Sequence, residues 1–222
     1  MIRSVGSPDI PQRLHAALER LQVAAAPEQE QALLRYLALL QRWNAVYNLT
    51  AVREPDAMLT HHLLDCLAAV GPLGRELGRH KARRIVDVGS GAGLPGVVFG
   101  LMDAKSDVLC VDSVAKKVAF ISQAIGELGL KNVRAQHARI QSVHARADVV
   151  TARAYASLND LVRNTAHLLD AAGVWMAMKG RRPDQEMADL PSDIEVFHVE
   201  PVEVPGLRAD RCLVWLRRVK AA

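Results

Sequence analysis

Apolar residues recur at helical spacing through the first third of this chain and at strand spacing after it. Leu14, Leu18 and Leu21, behind Pro8 and Pro11, predict a helix over residues 8–26. Across 28–47, Leu33, Leu37, Leu40, Trp43 and Tyr47 share one stripe while Gln31, Arg35, Gln41, Arg42 and Asn44 fall elsewhere, which predicts a longer amphipathic helix. A third helix is expected to open at Pro55-Asp56, to carry Leu59, Leu63, Leu67 and Val70 on one face, and to stop at Gly71-Pro72. Three helices without a strand predict a helical extension laid on whatever follows.

From Arg84 the period changes. Residues 85–88, 108–111, 133–136, 147–152 and 174–178 are short apolar or β-branched runs, with helical patterns at 95–102, 116–128 and 158–169. Such alternation predicts an α/β sheet that is mostly parallel. The end differs: 194–199 and 212–219 read as two strands joined by a Pro- and Gly-bearing turn with no crossover helix, so they should pair antiparallel. An open α/β sheet binds its ligand beyond the carboxyl ends of the strands. That rule directs attention to Gly89–Leu94, Asp112-Ser113, residues 137–142, Arg153 and Lys179-Gly180.

Candidate chemistry concentrates at RIVDVGSGAGLPGVVFGLM, residues 84–102. A strand, a glycine loop and Pro95 at a helix start predict a cradle whose backbone N–H groups point outward and which a ligand can approach closely. Two cofactors compete for it. Gly91, Gly93 and Gly96 satisfy GxGxxG, and Asp112 lies 21 residues past Gly91, the spacing of a dinucleotide fingerprint. S-adenosylmethionine also carries a ribose diol and asks for an acid at the same place. Asp87, two residues before Gly89, is of no use beside a pyrophosphate but is compatible with a sulfonium and an α-amino group. The extra glycine at Gly89 and the terminal hairpin, in place of a second nucleotide-binding half, point the same way. Methyl transfer is therefore favoured, with a nicotinamide-dependent oxidoreductase, or a non-catalytic RNA-binding or assembly factor of the same fold, as the alternatives.

Composition adds limits. The chain has 222 residues, half of them hydrophobic, and a net charge of +4, which fits a globular protein and is compatible with a nucleic-acid partner without requiring one. Its three cysteines, Cys66, Cys110 and Cys212, are dispersed in apolar surroundings, so buried free thiols are expected, with neither a disulfide framework nor a metal site. The opening MIRSVGSPDIPQR has no apolar signal region, and no run of 18 apolar residues occurs. A cytoplasmic protein without membrane contact, monomeric, is the expectation.

Four blocks narrow the reading further: WNAVYNLTAVREPDAMLTHHLLDCL from Trp43, VDVGSGAGLPG from Val86, VDSVAKKVAFI from Val111, and ARAYASLNDLV with AMKG between Ala152 and Gly180. Through them the chain resembles the bacterial 16S ribosomal RNA guanine-N7 methyltransferase family, known as RsmG or glucose-inhibited division protein B. The resemblance implies a class I methyltransferase fold: a Rossmann-like sheet of seven strands with the last antiparallel over residues 76–222, behind a helical extension over 1–75. It implies S-adenosyl-L-methionine as cofactor, the position-527 type guanine of 16S rRNA as target, and the RNA or the small ribosomal subunit as partner. It also implies cofactor contacts at Gly89, Leu94, Asp112, Ile140-Gln141 and Arg153, to which the loop reading adds Asp87, Gly91, Gly93 and Ser113. Gln141 stands where the family usually has an acid, and Cys66 where it usually has Ser.

Guanine N7 has a lone pair and no proton, so no general base is required and alignment carries the catalysis. Arg153 and Lys179, at the ends of adjacent strands, are the orienting candidates. Arg153 is expected at cofactor and target base, and Lys179, Arg181 and Arg182 at phosphates; the plainer alternative for Arg153 is an ion pair with a nearby carboxylate. His61, His62 and Asp65 are expected to make helix-surface or core hydrogen bonds and not to bind a metal. The run Arg79–Arg84 precedes the first strand and is expected to be a solvated loop away from the cofactor. Trp43, Tyr47 and Trp175 are expected in the core, and Tyr155 near the target base.

Overall fold

The computed structural model describes residues 9–219, so the expected helix start at Pro8 and the opening MIRSVGSP lie outside the described residues. Helices α1 (Ile10–Arg20) and α2 (Pro27–Tyr47) follow the apolar stripes. Pro27 takes the first turn of α2, where its missing N–H costs nothing, and Asn48 ends it in the left-handed conformation. The third helix begins as α3 (Pro55–Met58), widens into a π-helical stretch over Leu59–Leu64, and closes as α4 (Asp65–Leu67). Gly71-Pro72 does not stop it. The break falls at Ala68-Ala69, and a new helix, α5 (Val70–Leu77), takes Pro72 into its first turn, a position that needs no N–H donor.

Beyond it the chain alternates β1 (Arg84–Val88), α6 (Gly96–Met102), β2 (Asp107–Asp112), α7 (Ala115–Leu128), β3 (Val133–His137), β4 (Ala147–Arg153), α8 (Leu158–Thr165) and β5 (Leu169–Lys179). A short α9 (Asp184–Ala188), absent from the sequence expectation, precedes β6 (Ile194–Pro201) and β7 (Cys212–Arg218). The sheet order is β3-β2-β1-β4-β5-β7-β6. Strands β1 to β5 pair parallel, and β7 runs antiparallel to both β5 and β6, as the hairpin reading required. Strand order reverses between β1 and β4, which puts a crevice at the carboxyl ends of β1, β2 and β4.

One core joins Leu14, Leu33, Leu40, Leu63 and Leu67 of the N-terminal helices to Phe99 of α6 and to Val108, Val149 and Met176 on one sheet face. A second core, on the other face, is built around Trp175, Val150 and Leu161. Trp175 is fully buried, and its indole N–H donates to Thr165 Oγ1 at 2.8 Å. The helical extension therefore completes the hydrophobic core of the sheet. Helix α6 lies so close to the strands beneath it that a Cβ on Gly100 would sit 2.2 Å from Val133 Cγ2. Cys66, Cys110 and Cys212 are free and buried, as expected. Among the described residues, no helix is long and apolar enough to cross a membrane.

Candidate active site

The loop after β1 descends from three demands: a turn straight off a buried strand, close packing of α6, and an acid at the end of β2. Gly89, Gly91 and Gly93 take positive φ values of +64°, +60° and +80°. Gly93 is needed twice over, because a Cβ there would also meet Val97 Cγ2 at 2.5 Å. Pro95 caps α6 from outside its first turn.

Four of the backbone donors at this loop do not point outward as the sequence suggested. Gly91 N–H goes to Asp112 Oδ2 at 2.9 Å, Gly93 and Leu94 N–H to the Ser90 carbonyl at 2.8 and 2.9 Å, and Gly96 N–H to Asp87 Oδ2 at 2.9 Å. A pyrophosphate needs such donors free; a ribose diol needs an acceptor, and that acceptor is present. Asp112 ends β2 with its carboxylate also receiving Val114 N–H at 2.9 Å, so both oxygens are fixed before any ligand arrives.

Asp112 lines an open cleft of about 790 Å³ together with Gly89, Ser113, Ile140, Gln141 and Tyr155. Lys117, His137 and Arg139 complete its polar wall. The cleft thus gathers residues from the ends of β1, β2, β3 and β4. A Cβ on Gly89 would lie 3.5 Å from the Tyr155 ring, so the bare backbone there leaves the ring its place in the wall. Gln141 donates to Asn164 Oδ1 at 3.0 Å, and His137 Nε2 lies 3.1 Å from the Ser113 carbonyl. Ala154, with φ +55°, turns the chain from Arg153 into this wall, a left-handed non-glycine residue that sequence reasoning passed over.

Gly91, Gly93, Leu94, Asp87, Arg153 and Lys179 are not among the cleft's lining residues. The glycines and Leu94 form the loop beneath it. Asp87 is fully buried; Oδ2 holds the first turn of α6, and Oδ1 has no hydrogen-bond partner. Burial pushes its pKa up to about 6, with the Gly96 N–H opposing. A carboxyl with a raised folded pKa binds its proton more tightly in the native than in the unfolded state. Its ionisation therefore costs stability as pH rises from about 4 to beyond 6, by roughly 3 kcal/mol in total. Relative to the Asp87→Asn variant, the wild type should lose most of that amount between pH 4 and pH 7.5 in urea denaturation; parallel pH dependences would rule it out.

Arg153 donates to the His61 carbonyl at 2.9 Å and to Asp65 Oδ2 at 3.1 Å, while Arg211 donates to Asp65 Oδ1 at 2.8 Å. Asp65 thereby ties the helical extension to the end of β4 and to the β6–β7 connection. Lys179 pairs with Glu186 of α9 at 2.8 Å, and the same carboxylate accepts Leu158 N–H at 2.8 Å. His62 is buried, with Nε2 2.8 Å from Thr50 Oγ1, and burial, seconded by Arg153, lowers its pKa to about 4. Among the described residues, no group of three or more His, Cys, Asp or Glu side chains could hold a metal. The basic run before β1 is less free than a solvated loop: Arg79 and His80 face Glu76, Arg83 pairs with Asp103, and Arg84 with Asp148 and Asp170. Tyr47 departs from the core reading, being 46% exposed.

A parallel sheet closed by an antiparallel β7, with an acid at the end of β2 beside a glycine loop, is the class I S-adenosylmethionine-dependent methyltransferase fold. Solved structures agree: TrmN from Thermus thermophilus (TM-score 0.55, 20% identity, covering 68% of this chain and 48% of that one) and a SAM-dependent methyltransferase from Aquifex aeolicus (TM-score 0.54, 16% identity, 73% and 93%) share it. The family described as GidB, rRNA small subunit methyltransferase G, matches residues 29–214. Relatives named ribosomal RNA small subunit methyltransferase G include one from Acidovorax ebreus (strain TPSY), 56% identical over 194 residues covering 84% of this chain and 86% of the relative. Another, from Methylibium petroleiphilum (strain ATCC BAA-1232 / LMG 22953 / PM1), is 54% identical over 208 residues, covering 93% and 94%. The chain belongs to the rRNA small subunit methyltransferase G family.

Proposed function

We propose that this protein transfers the methyl group of S-adenosyl-L-methionine to N7 of the position-527 guanine of 16S rRNA, acting in the cytoplasm on the RNA or the small ribosomal subunit. The observation that carries the proposal is the prearranged Asp112 carboxylate at the wall of a cleft of about 790 Å³, in a chain that matches this family from residue 29 to 214. The cleft has the volume of an ordinary small-ligand site.

The residues fit the cofactor. Asp112 would accept the ribose hydroxyls, Ile140 would cover the adenine while the Gln141 amide reads its edge, and Gly89 with Ser113 would let the ligand lie close to backbone. When bound, the cofactor supplies a sulfonium methyl, an electrophile strong enough for an unprotonated ring nitrogen. This chain's share is alignment: guanine N7 needs no proton removed, so a fixed distance and angle supply the acceleration, up to about 7–11 kcal/mol in favourable systems. Arg153, anchored by Asp65 and the His61 carbonyl at the end of β4, stands outside the cleft lining; its proposed role is to orient the cofactor and the base from there. Lys179, Arg181 and Arg182, at and just past the end of β5, would meet the RNA backbone. The Lys179–Glu186 pair sets a cost on that contact for Lys179, since the amine must exchange a carboxylate for a phosphate.

The test is transfer of labelled methyl to naked 16S RNA, folded RNA and small subunits, followed by mapping of N7-methylguanine by chain cleavage. Label at position 527 in at least one substrate is the expected outcome. Label elsewhere, or on a pyrimidine or an exocyclic amine, would overturn the assignment.

A further inference from the structure

Val46, Tyr47 and Val114 are exposed large apolar side chains, at 69%, 46% and 37% of their free surface. Val114 belongs to the cleft wall, while Val46 and Tyr47 stand at the last turn of α2. Val114 lines the cleft at the N-terminal end of α7, and two residues on Lys116 Nζ donates to the Tyr47 carbonyl at 2.9 Å, tying the end of α2 to the start of α7.

The Tyr47 ring is backed by a ladder of rings. Its centroid lies 4.9 Å from Trp43; Trp43 meets Phe120 edge-on at 5.6 Å, and Phe120 lies 6.1 Å from Tyr36. Tyr36 is buried, and its hydroxyl donates to the Ala92 carbonyl of the glycine loop. The exposed ring is therefore held in a fixed position relative to the loop that forms the floor of the cofactor site. Two cations reach the same helix end. Lys116 donates to a carbonyl and Arg53 to the Asn48 side-chain amide at 3.2 Å, so neither charge is cancelled by a carboxylate among the described residues.

We infer that Tyr47 is a stacking platform for an unpaired RNA base next to the target guanine, with Lys116 and Arg53 on the adjoining phosphates. The inference rests on the proposed function and extends it by assigning a substrate contact to the helical extension. An aromatic face with one side packed and one side open, flanked by unneutralised cations, is the arrangement by which single-stranded nucleic acid is held. A base held at the end of α2, which Lys116 ties to the start of α7, would register the RNA so that a neighbouring base reaches the reacting centre.

The experiment compares wild type, Tyr47→Ala and Tyr47→Phe in methylation of small-subunit RNA, with S-adenosylhomocysteine titration of each. Tyr47→Ala should bind S-adenosylhomocysteine as the wild type does and raise KM for RNA about ten-fold or more, the size of one lost base stack; Tyr47→Phe should restore it. An unchanged KM in Tyr47→Ala, with wild-type methylation intact, overturns the platform and leaves the proposed function standing. A dimer in solution that buries Tyr47 overturns it too. Absence of RNA methylation by the wild type removes both readings together.

Discussion

Replacing Asp112 by alanine is expected to weaken binding of S-adenosylhomocysteine by at least about 100-fold, measured by calorimetric titration. The carboxylate serves two masters. It accepts Gly91 N–H and Val114 N–H at 2.9 Å each, and in the proposed complex it also receives the ribose hydroxyls. Hydrogen bonds to a charged group are worth about 1.5–3 kcal/mol apiece, so losing two to the ribose accounts for the effect before any loosening of the loop is counted. Asp112→Asn should fall between, since one amide oxygen still accepts but the amide nitrogen opposes the backbone donors. The fold should survive, because Asp112 lies at the end of β2 and the sheet registers without it. Wild-type affinity in the alanine variant would remove Asp112 from the site.

Replacing Asp65 by alanine is expected to cost about 3 kcal/mol of stability, or roughly 6–12 °C in Tm for a chain of this size. Asp65 is buried at the junction of the extension, β4 and the β6–β7 connection, with Arg153 on one oxygen and Arg211 on the other. Its removal leaves two guanidinium groups facing each other without an anion. Their side chains are 19% and 23% exposed, so water takes up part of the penalty and the figure sits at the low end for a broken buried pair. The same variant should impair methylation beyond what instability explains, because Arg153 loses its anchor. Full activity at a temperature where the variant is folded would show that Arg153 works without Asp65.

How far the chain was legible depended on the distance over which each determinant acts. Periodicity is a local property, and it located α1, α2, the parallel strands and the antiparallel ending, because each side chain's face follows from its own place in the repeat. The third helix shows the limit. Gly71-Pro72 reads as a stop, yet proline is tolerated in a first helical turn, and only the packing of Leu73 and Leu77 decides that a new helix starts there. Tyr47 fell on the apolar stripe of α2 but lies at its last turn, past the point where the helix leaves the core, so the stripe alone misplaced it.

The candidate site divides along the same line. Sequence by itself determined the glycine loop and the acid at the end of β2, since spacing along the chain records how a strand, a turn and a second strand meet, and its motif blocks carried the resemblance to the family. Only the tertiary structure decided what the neighbours do with those groups. It turned the loop N–H donors inward onto Asp112, Ser90 and Asp87, buried Asp87 away from the cleft, and gave Arg153 a carboxylate from 88 residues earlier in the chain. The reason is physical: a hydrogen bond or an ion pair is settled by which partner arrives at three ångströms, and chain spacing carries no record of that for residues brought together by folding.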